Sequence, residues 1–364
     1  MIFWVTNDVG NVHTSTKGSE PVGIEVQNMA YAYLSGDYVV NNATFYSHRI
    51  INRKSTLLSD AYLGLWTDTE LGCGSDDMVG CDTLRNLMYL YNGDETDGTT
   101  GCACGSTPTY CNELPMLAID ILYCPPTVLR DINGIPYDTV PGKMNSFNYM
   151  FSSTLNPAAK VPQNSQEVYN CLSGLWADGQ KMTYGGTGYD LASNRFTNYA
   201  FTDEPCNGLG WSFASVSTSG RDFKTLQSAG PYSLLPGQFI DFVYGVVFAP
   251  KVVHPKPCLN AIRDVDDRIQ RLFDDHFRII SEPTEGPDAP DLIANSLTNA
   301  VGFTFQNGAN SNNYLQKFEV PDRDAPLEAI DKTYNFEGYR VFQLNDTNAI
   351  KGLDYLYKNP NAIE

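Results

Sequence analysis

The chain has 364 residues, 42% hydrophobic and 12% aromatic, which supplies apolar side chains for a large core and, at roughly 150 residues per domain, about two or three units. Its 24 Lys and Arg stand against 42 Asp and Glu, and a formal charge of -18 repels a nucleic acid rather than steering it in. No run approaches the roughly 18 consecutive apolar residues that a helix needs to cross a membrane, so no membrane span is expected.

The opening "MIFWVTNDVG" has strand character. It lacks the basic start, apolar stretch and small-residue cleavage site of a secretory signal, so Met1 reads as an internal residue of a longer chain. "GIEVQNMAYAYL" (Gly23–Leu34) alternates Ile24, Val26, Asn28, Ala30 and Ala32 with Glu25, Gln27, Met29, Tyr31 and Tyr33. "NATFYSHRIIN" (Asn42–Asn52) is rich in aromatic and β-branched residues. Both predict strands, because a period of two puts alternate side chains on opposite faces. Gly36, Asp37, Asn41 and Asn42 supply turn chemistry between them.

The stretch "LWTDTELGCGSDDMVGCDTL" (Leu65–Leu84) then concentrates Asp68, Glu70, Asp76, Asp77 and Asp82 among glycines. Like charges at that density repel unless something neutralises them. Ca2+ takes about six to eight oxygen ligands on tightly curled backbone. Gly72 and Gly74 permit the curl, and Asn92, Asp94 and Asp97 in "YNGDETDG" can close the shell from a neighbouring loop. The spacing is not that of an EF-hand. Two readings stand: a structural calcium site made from these eight residues, or solvated acidic turns with Asp and Asn capping.

Nine cysteines follow: Cys73, Cys81, Cys102, Cys104, Cys111, Cys124, Cys171, Cys206 and Cys258. "GCACGSTPTYC" has knuckle-like spacing, but no matching pair lies downstream and the chain holds four histidines, which favours disulfides over zinc. At least two linkages are expected, with Cys73, Cys81, Cys102, Cys104 or Cys111 among them. Cys73 and Cys81 can close the acidic loop or pair with the later cysteines. An odd count leaves at least one thiol unpaired within the chain.

"GQFIDFVYGVVFA" (Gly237–Ala249), launched by a Pro236-Gly237 turn, is apolar enough for a central strand. One amphipathic helix is predicted over "CLNAIRDVDDRIQRLFDDHF" (Cys258–Phe277). Ile262, Val265, Ile269, Leu272, Phe273 and Phe277 share its apolar face, while Arg263, Asp266, Asp267, Arg268 and Arg271 take the other. It is expected to pack on the sheet, being too short for a coiled coil. "SEPTEGPDAPDL" (Ser281–Leu292) reads as a hinge between residues 1–280 and 293–364. Beyond it, a Pro-x-x-Pro entry and strand-like "AVGFTFQN" and "NFEGYRVFQL" (Asn335–Leu344), with Phe303, Phe305, Phe336, Tyr339, Val341 and Phe342 for a core, look like the start of a truncated fibronectin type III module. The fold class expected is all-β: a β-sandwich with one packed amphipathic helix, followed by a partial fibronectin type III-like sandwich.

The segment from Leu58 to Gly98, with its W-x-D core, D-D-x-V-G-C-D-T and Y-N-x-D, resembles a recurring segment of large exported surface proteins of Bacteroidetes. "LWADGQKMTYGGTGYD", "LQSAGPYSLLPGQFIDFVYGVVFA", "APDL" and "DKTYNFEGYRVFQL" are similar to later blocks in the same order. Glu70 departs from the Asp of that pattern, and the insertion with Cys102, Cys104 and Cys111 lies outside it. The resemblance implies export by the type IX secretion route to the extracellular space or outer-membrane surface. It implies no activity.

No G-x-S-x-G, H-E-x-x-H, P-loop or dinucleotide fingerprint is present, and no catalytic residues are assigned. His13, His48, His254 and His276 sit in unrelated contexts, and His276 suits a helix C-terminus. Trp66, Trp176 and Trp211 can form a sugar-stacking platform or pack the sandwich. The functional expectation is a calcium-stabilised structural or adhesive module of a secreted or cell-surface bacterial protein. Its partners are then other modules of the same long chain, further copies of itself, or cell-surface glycans. The alternative is a glycan-binding or accessory non-catalytic region of a larger secreted enzyme.

Overall fold

The alternating and β-branched segments form strands in a computed structural model that describes residues 1–339 except 11, 15–16, 18, 35–37, 131–134, 152–155, 218–219, 276, 278–285 and 322–332. The chain divides into two units, Met1–Phe277 and Arg278–Glu364.

In the first unit, β1 (Ile2–Asn7), β2 (Ile24–Tyr31), a single helical turn α1 (Tyr38–Asn41), β3 (Ala43–Asn52) and β4 (Leu58–Thr67) come first. They are followed by β5 (Asp77–Asp82), β6 (Leu87–Asn92), a short hairpin β7 (Ala103–Cys104) and β8 (Thr107–Pro108), and β9 (Met116–Tyr123). A second hairpin, β10 (Thr127–Arg130) and β11 (Pro136–Val140), precedes β12 (Ser146–Met150), α2 (Ser165–Leu172), β13 (Lys224–Leu234), β14 (Phe239–Ala249) and α3 (Asn260–Asp274). Seven strands join in the order β1-β2-β3-β14-β9-β6-β5, and three in the order β12-β13-β4. All their pairings are antiparallel. The apolar β14 sits at the centre of the large sheet, as its composition predicts.

The large sheet is covered on both faces around β9 and β14. Helix α3 packs against these two strands. From the three-stranded sheet, Gln227 donates to the Ile119 carbonyl at 3.1 Å, and side chains of both sheets share one core cluster. Double coverage explains why β5 and β6 are buried at every position and why "LMYLYN" reads as a nearly continuous apolar run rather than an alternation. The acidic stretch is therefore only partly a loop, since its second half is strand β5.

Where Gly36 to Asn42 predicts a turn, the described residues form α1, which buries Val39 and Val40. In α3, Asp266 and Asp267 are buried rather than solvent-facing. The helix lies deep enough between the sheet and the β5–β6 turn that its flank is covered as well as its apolar stripe.

In the second unit, β15 (Asp291–Leu297) pairs with β16 (Ala300–Gln306), and β17 (Glu319–Pro321) with β18 (Thr333–Asn335). Strand β15 begins inside the expected hinge. Phe336 and Tyr339 form an edge-on pair, and Tyr339 stacks on Phe305. Val341 and Phe342 lie outside the described residues.

Phe45 on β3 has no exposed surface, and its ring lies 5.4 Å from that of Tyr31 and 4.7 Å from that of Phe277. Phe45→Ala leaves a cavity where α3 ends on the sheet and is expected to cost about 3–5 kcal/mol, read as a lower midpoint in urea denaturation.

Candidate functional site

Gly72 begins the acidic loop with φ +77°, and a Cβ there would lie 1.8 Å from Oδ2 of Asp97. Glycine is required because Asp97 is buried directly against this turn. Its Oδ1 accepts from the Cys73 N–H at 2.9 Å and its Oδ2 from the Tyr110 N–H at 2.8 Å. Its carbonyl accepts from the Thr109 hydroxyl, and its own N–H donates to the Cys111 carbonyl at 2.9 Å. One carboxylate thereby ties the turn at Gly72 to the cysteine-bearing insertion. Two disulfides reinforce this join, Cys73–Cys104 and Cys102–Cys111. A third, Cys206–Cys258, anchors the approach to α3. Cys81 is not a partner of Cys73. It is buried in β5 with its thiol against the Ala200 carbonyl, and Cys124 and Cys171 are also buried free thiols.

The other acids do not converge on one point. Asp77 is buried, with Oδ2 accepting from Leu71 N–H at 3.0 Å and Oδ1 without a hydrogen-bond partner. Burial, with nearby Asp76, Asp97 and Glu70 adding repulsion, pushes its carboxyl up to about 8. Asp76 accepts from Gly98 N–H at 3.0 Å through Oδ2, leaves a buried Oδ1 without partner, and is shifted upward chiefly by burial. Asp94 accepts from Thr96 N–H at 3.1 Å and donates its own N–H to Asn92 Oδ1 at 2.9 Å. Asp68 is exposed and pairs with Lys224 at 3.0 Å. The Glu70 side chain packs over Gly74, where a Cβ would lie 2.7 Å from its Cγ.

Asp82 lies at the far end of β5 from Asp77, roughly 17 Å away at the rise of an extended strand. Its Oδ2 receives Arg85 at 3.1 Å and Arg263 at 2.8 Å. Arg85 also grips Asp267 through two bonds of 2.7 and 2.9 Å, and Arg263 reaches Glu204. Asp82 thus belongs to a buried ion-pair network that joins the β5–β6 turn to α3. Periodicity hid this network, because Arg263 and Asp267 lie on what reads as the solvent face of α3. The available signal was Arg85, a lone cation between two apolar strand segments.

Of the eight predicted ligands, Asp76 and Asp94 line a shallow hollow of about 300 Å3 with Ser75, Gly93, Gly98, Thr99 and Gly220. Backbone crowds it, since a Cβ on Gly220 would lie 1.9 Å from the Asp76 carbonyl carbon. Among the described residues, no group of three or more His, Cys, Asp or Glu stands in position to hold a metal.

Trp176 and Trp211 are core residues, buried with their indole N–H groups donating to the carbonyls of Gly188 at 2.9 Å and Gly186 at 2.8 Å. Trp66 on β4 remains 43% exposed. The histidines are scattered. His48 stacks on Tyr244 and bonds Asn28, His254 donates to the Asn92 carbonyl, His13 bonds the Asp8 carbonyl, and burial lowers the pKa of His48 and His254. His276 lies outside the described residues. The chain matches no protein-family model and no curated protein.

Removing the Asp97 carboxylate strands two N–H groups and leaves the insertion held by its disulfides. Asp97→Ala is expected to cost about 3 kcal/mol, on the scale of hydrogen bonds to charged groups. Asp68→Ala breaks only an exposed ion pair and should stay within about 0.5 kcal/mol of the parent. Urea denaturation of the oxidised protein measures both.

Proposed function

We propose that this chain is a structural or adhesive module of an exported bacterial surface protein, and that Asp76 and Asp94 hold Ca2+ in the hollow beside the acidic loop. The observation that carries the reading is the cross-linked insertion, in which two disulfides and Asp97 fix a surface loop to the sheet. Disulfides persist in oxidising compartments outside the cytosol. The family resemblance of the acidic segment points to the same location. Among the described residues no helix is long and apolar enough to cross a membrane. Support for the cation comes from the buried Oδ1 of Asp76, which has no protein donor, since a hard cation takes such an oxygen readily.

A second reading, glycan binding, rests on a cleft of about 690 Å3 at the ends of β9, β13 and β14. Tyr123 and Phe239 stand 42% and 52% exposed there, beside Asp60, Gln238 and Asp241. Glycan-array binding that disappears in Tyr123→Ala would favour it over the structural role.

Surface labelling of intact producing cells should reach this chain, and labelling only after lysis would contradict the reading. EDTA should lower the melting temperature and Ca2+ restore it better than Mg2+. At ~100 times the dissociation constant the ion adds roughly 2.7 kcal/mol. Asp76→Asn and Asp94→Asn should each blunt that response, and a melting curve indifferent to both EDTA and Ca2+ removes the calcium proposal.

A further inference from the structure

Asp120 sits in the middle of β9, fully buried, and neither of its carboxyl oxygens receives a bond from any N–H or hydroxyl group. Across from it on α3, Asp266 is 1% exposed, and its Oδ1 is likewise unmet. Helix α3 packs on β9, and the two carboxyl groups face each other closely enough to repel when ionised and to share a hydrogen bond when one is protonated. Such a bond requires a hydrogen between them, because two carboxylates offer only acceptors.

Just past the end of β9, Cys124 also faces Asp120, and burial keeps its thiol neutral. From the β5–β6 turn come Asp82 and Arg85, and from α3 come Arg263, Asp267 and Asp274, with Glu204 reaching Arg263. Both guanidinium groups are already committed, Arg85 to Asp82 and Asp267, and Arg263 to Asp82 and Glu204. The strand neighbours of Asp120, Leu87 and Gly245, carry no charge. Five carboxyl groups besides Asp274 therefore surround two cations, and neither cation bonds Asp120.

We propose that Asp120 and Asp266 share one proton, and that this proton is a pH-operated latch holding helix α3 on the large sheet. Burial, together with the neighbouring acids, holds both groups well above the usual carboxylate range. Loss of the shared proton leaves two adjacent buried carboxylates, which cannot both remain ionised in place. The helix then yields. In the unfolded chain each aspartate titrates near about 4, so the latch contributes fully below that pH, and its contribution falls as pH rises towards the higher folded value.

The test is hydrogen exchange of residues 260–274 in the oxidised full chain, from about pH 5 to about pH 9, corrected for intrinsic exchange. Between the unfolded value and the higher folded one, where opening releases the shared proton, opening of α3 should accelerate up to about tenfold per pH unit, and it should level off above the folded value. Asp120→Asn replaces the proton with amide hydrogens and should flatten that profile. Asp77→Asn removes the other strongly shifted acid and should leave it in place. Infrared spectra of the Asp77→Asn protein at neutral pH, which lacks the other acid raised to about 8, should show a protonated carboxyl band that a further Asp120→Asn, or Asp266→Asn if that variant does not fold, removes. Absence of the band, or a corrected exchange profile flat with pH in the unmodified protein, would overturn the latch.

Discussion

A carboxylate buried between protein layers must find a donor, a cation or a proton, because desolvating it alone is prohibitively costly. This requirement organises the first unit. Its large sheet is covered by α3 on one face and by the three-stranded sheet on the other, so acids that a single-layer sheet would leave in water lie in the interior. The buried acids meet this requirement in three ways. Asp97 takes backbone N–H groups, Asp82 and Asp267 take guanidinium groups, and Asp120 and Asp266, by our proposal, take a shared proton.

These answers also place the connections. Asp97 can reach Cys73 and Tyr110 only because Gly72 has no side chain, and that contact fixes the insertion whose cysteines then pair. Arg85 holds α3 from the β5–β6 turn, while Cys206–Cys258 holds its approach. The buried acids Asp82, Asp97 and Asp267 thus serve to join elements. Asp76 and Asp94 at the hollow are where an ion from outside has room to add to these joins.

Periodic segments were legible in the sequence. Strands β2, β3 and β14 and helix α3 follow their patterns to within a few residues, because each has one face or one stripe committed to the core. The disulfide-bonded insertion was legible from cysteine density, though not its pairing, which depends on where Asp97 draws the chain. Strand β5 was hidden because "DDMVGCD" carries acids at both ends, and charge reads as loop until its partners are known. The burial of Asp266 and Asp267 was hidden for a related reason. Helical periodicity identifies the face that prefers the core, but the β5–β6 turn covers a second face. Trp66 and Trp176 look alike in sequence, each before an acidic turn, yet one is half-exposed and the other buried. The difference lies in the tertiary position of β4 at the edge of its sheet.

The central claim is that the acidic loop is held from within, by Asp97 and the disulfides, before any ion binds. Amide exchange at Cys73 and Tyr110 in calcium-free, oxidised protein tests it directly. Slow exchange at both positions, little changed when Ca2+ is added, is the predicted result. Exchange as fast as in an open loop, slowed only by Ca2+, would show that the cation builds the loop and would contradict the account.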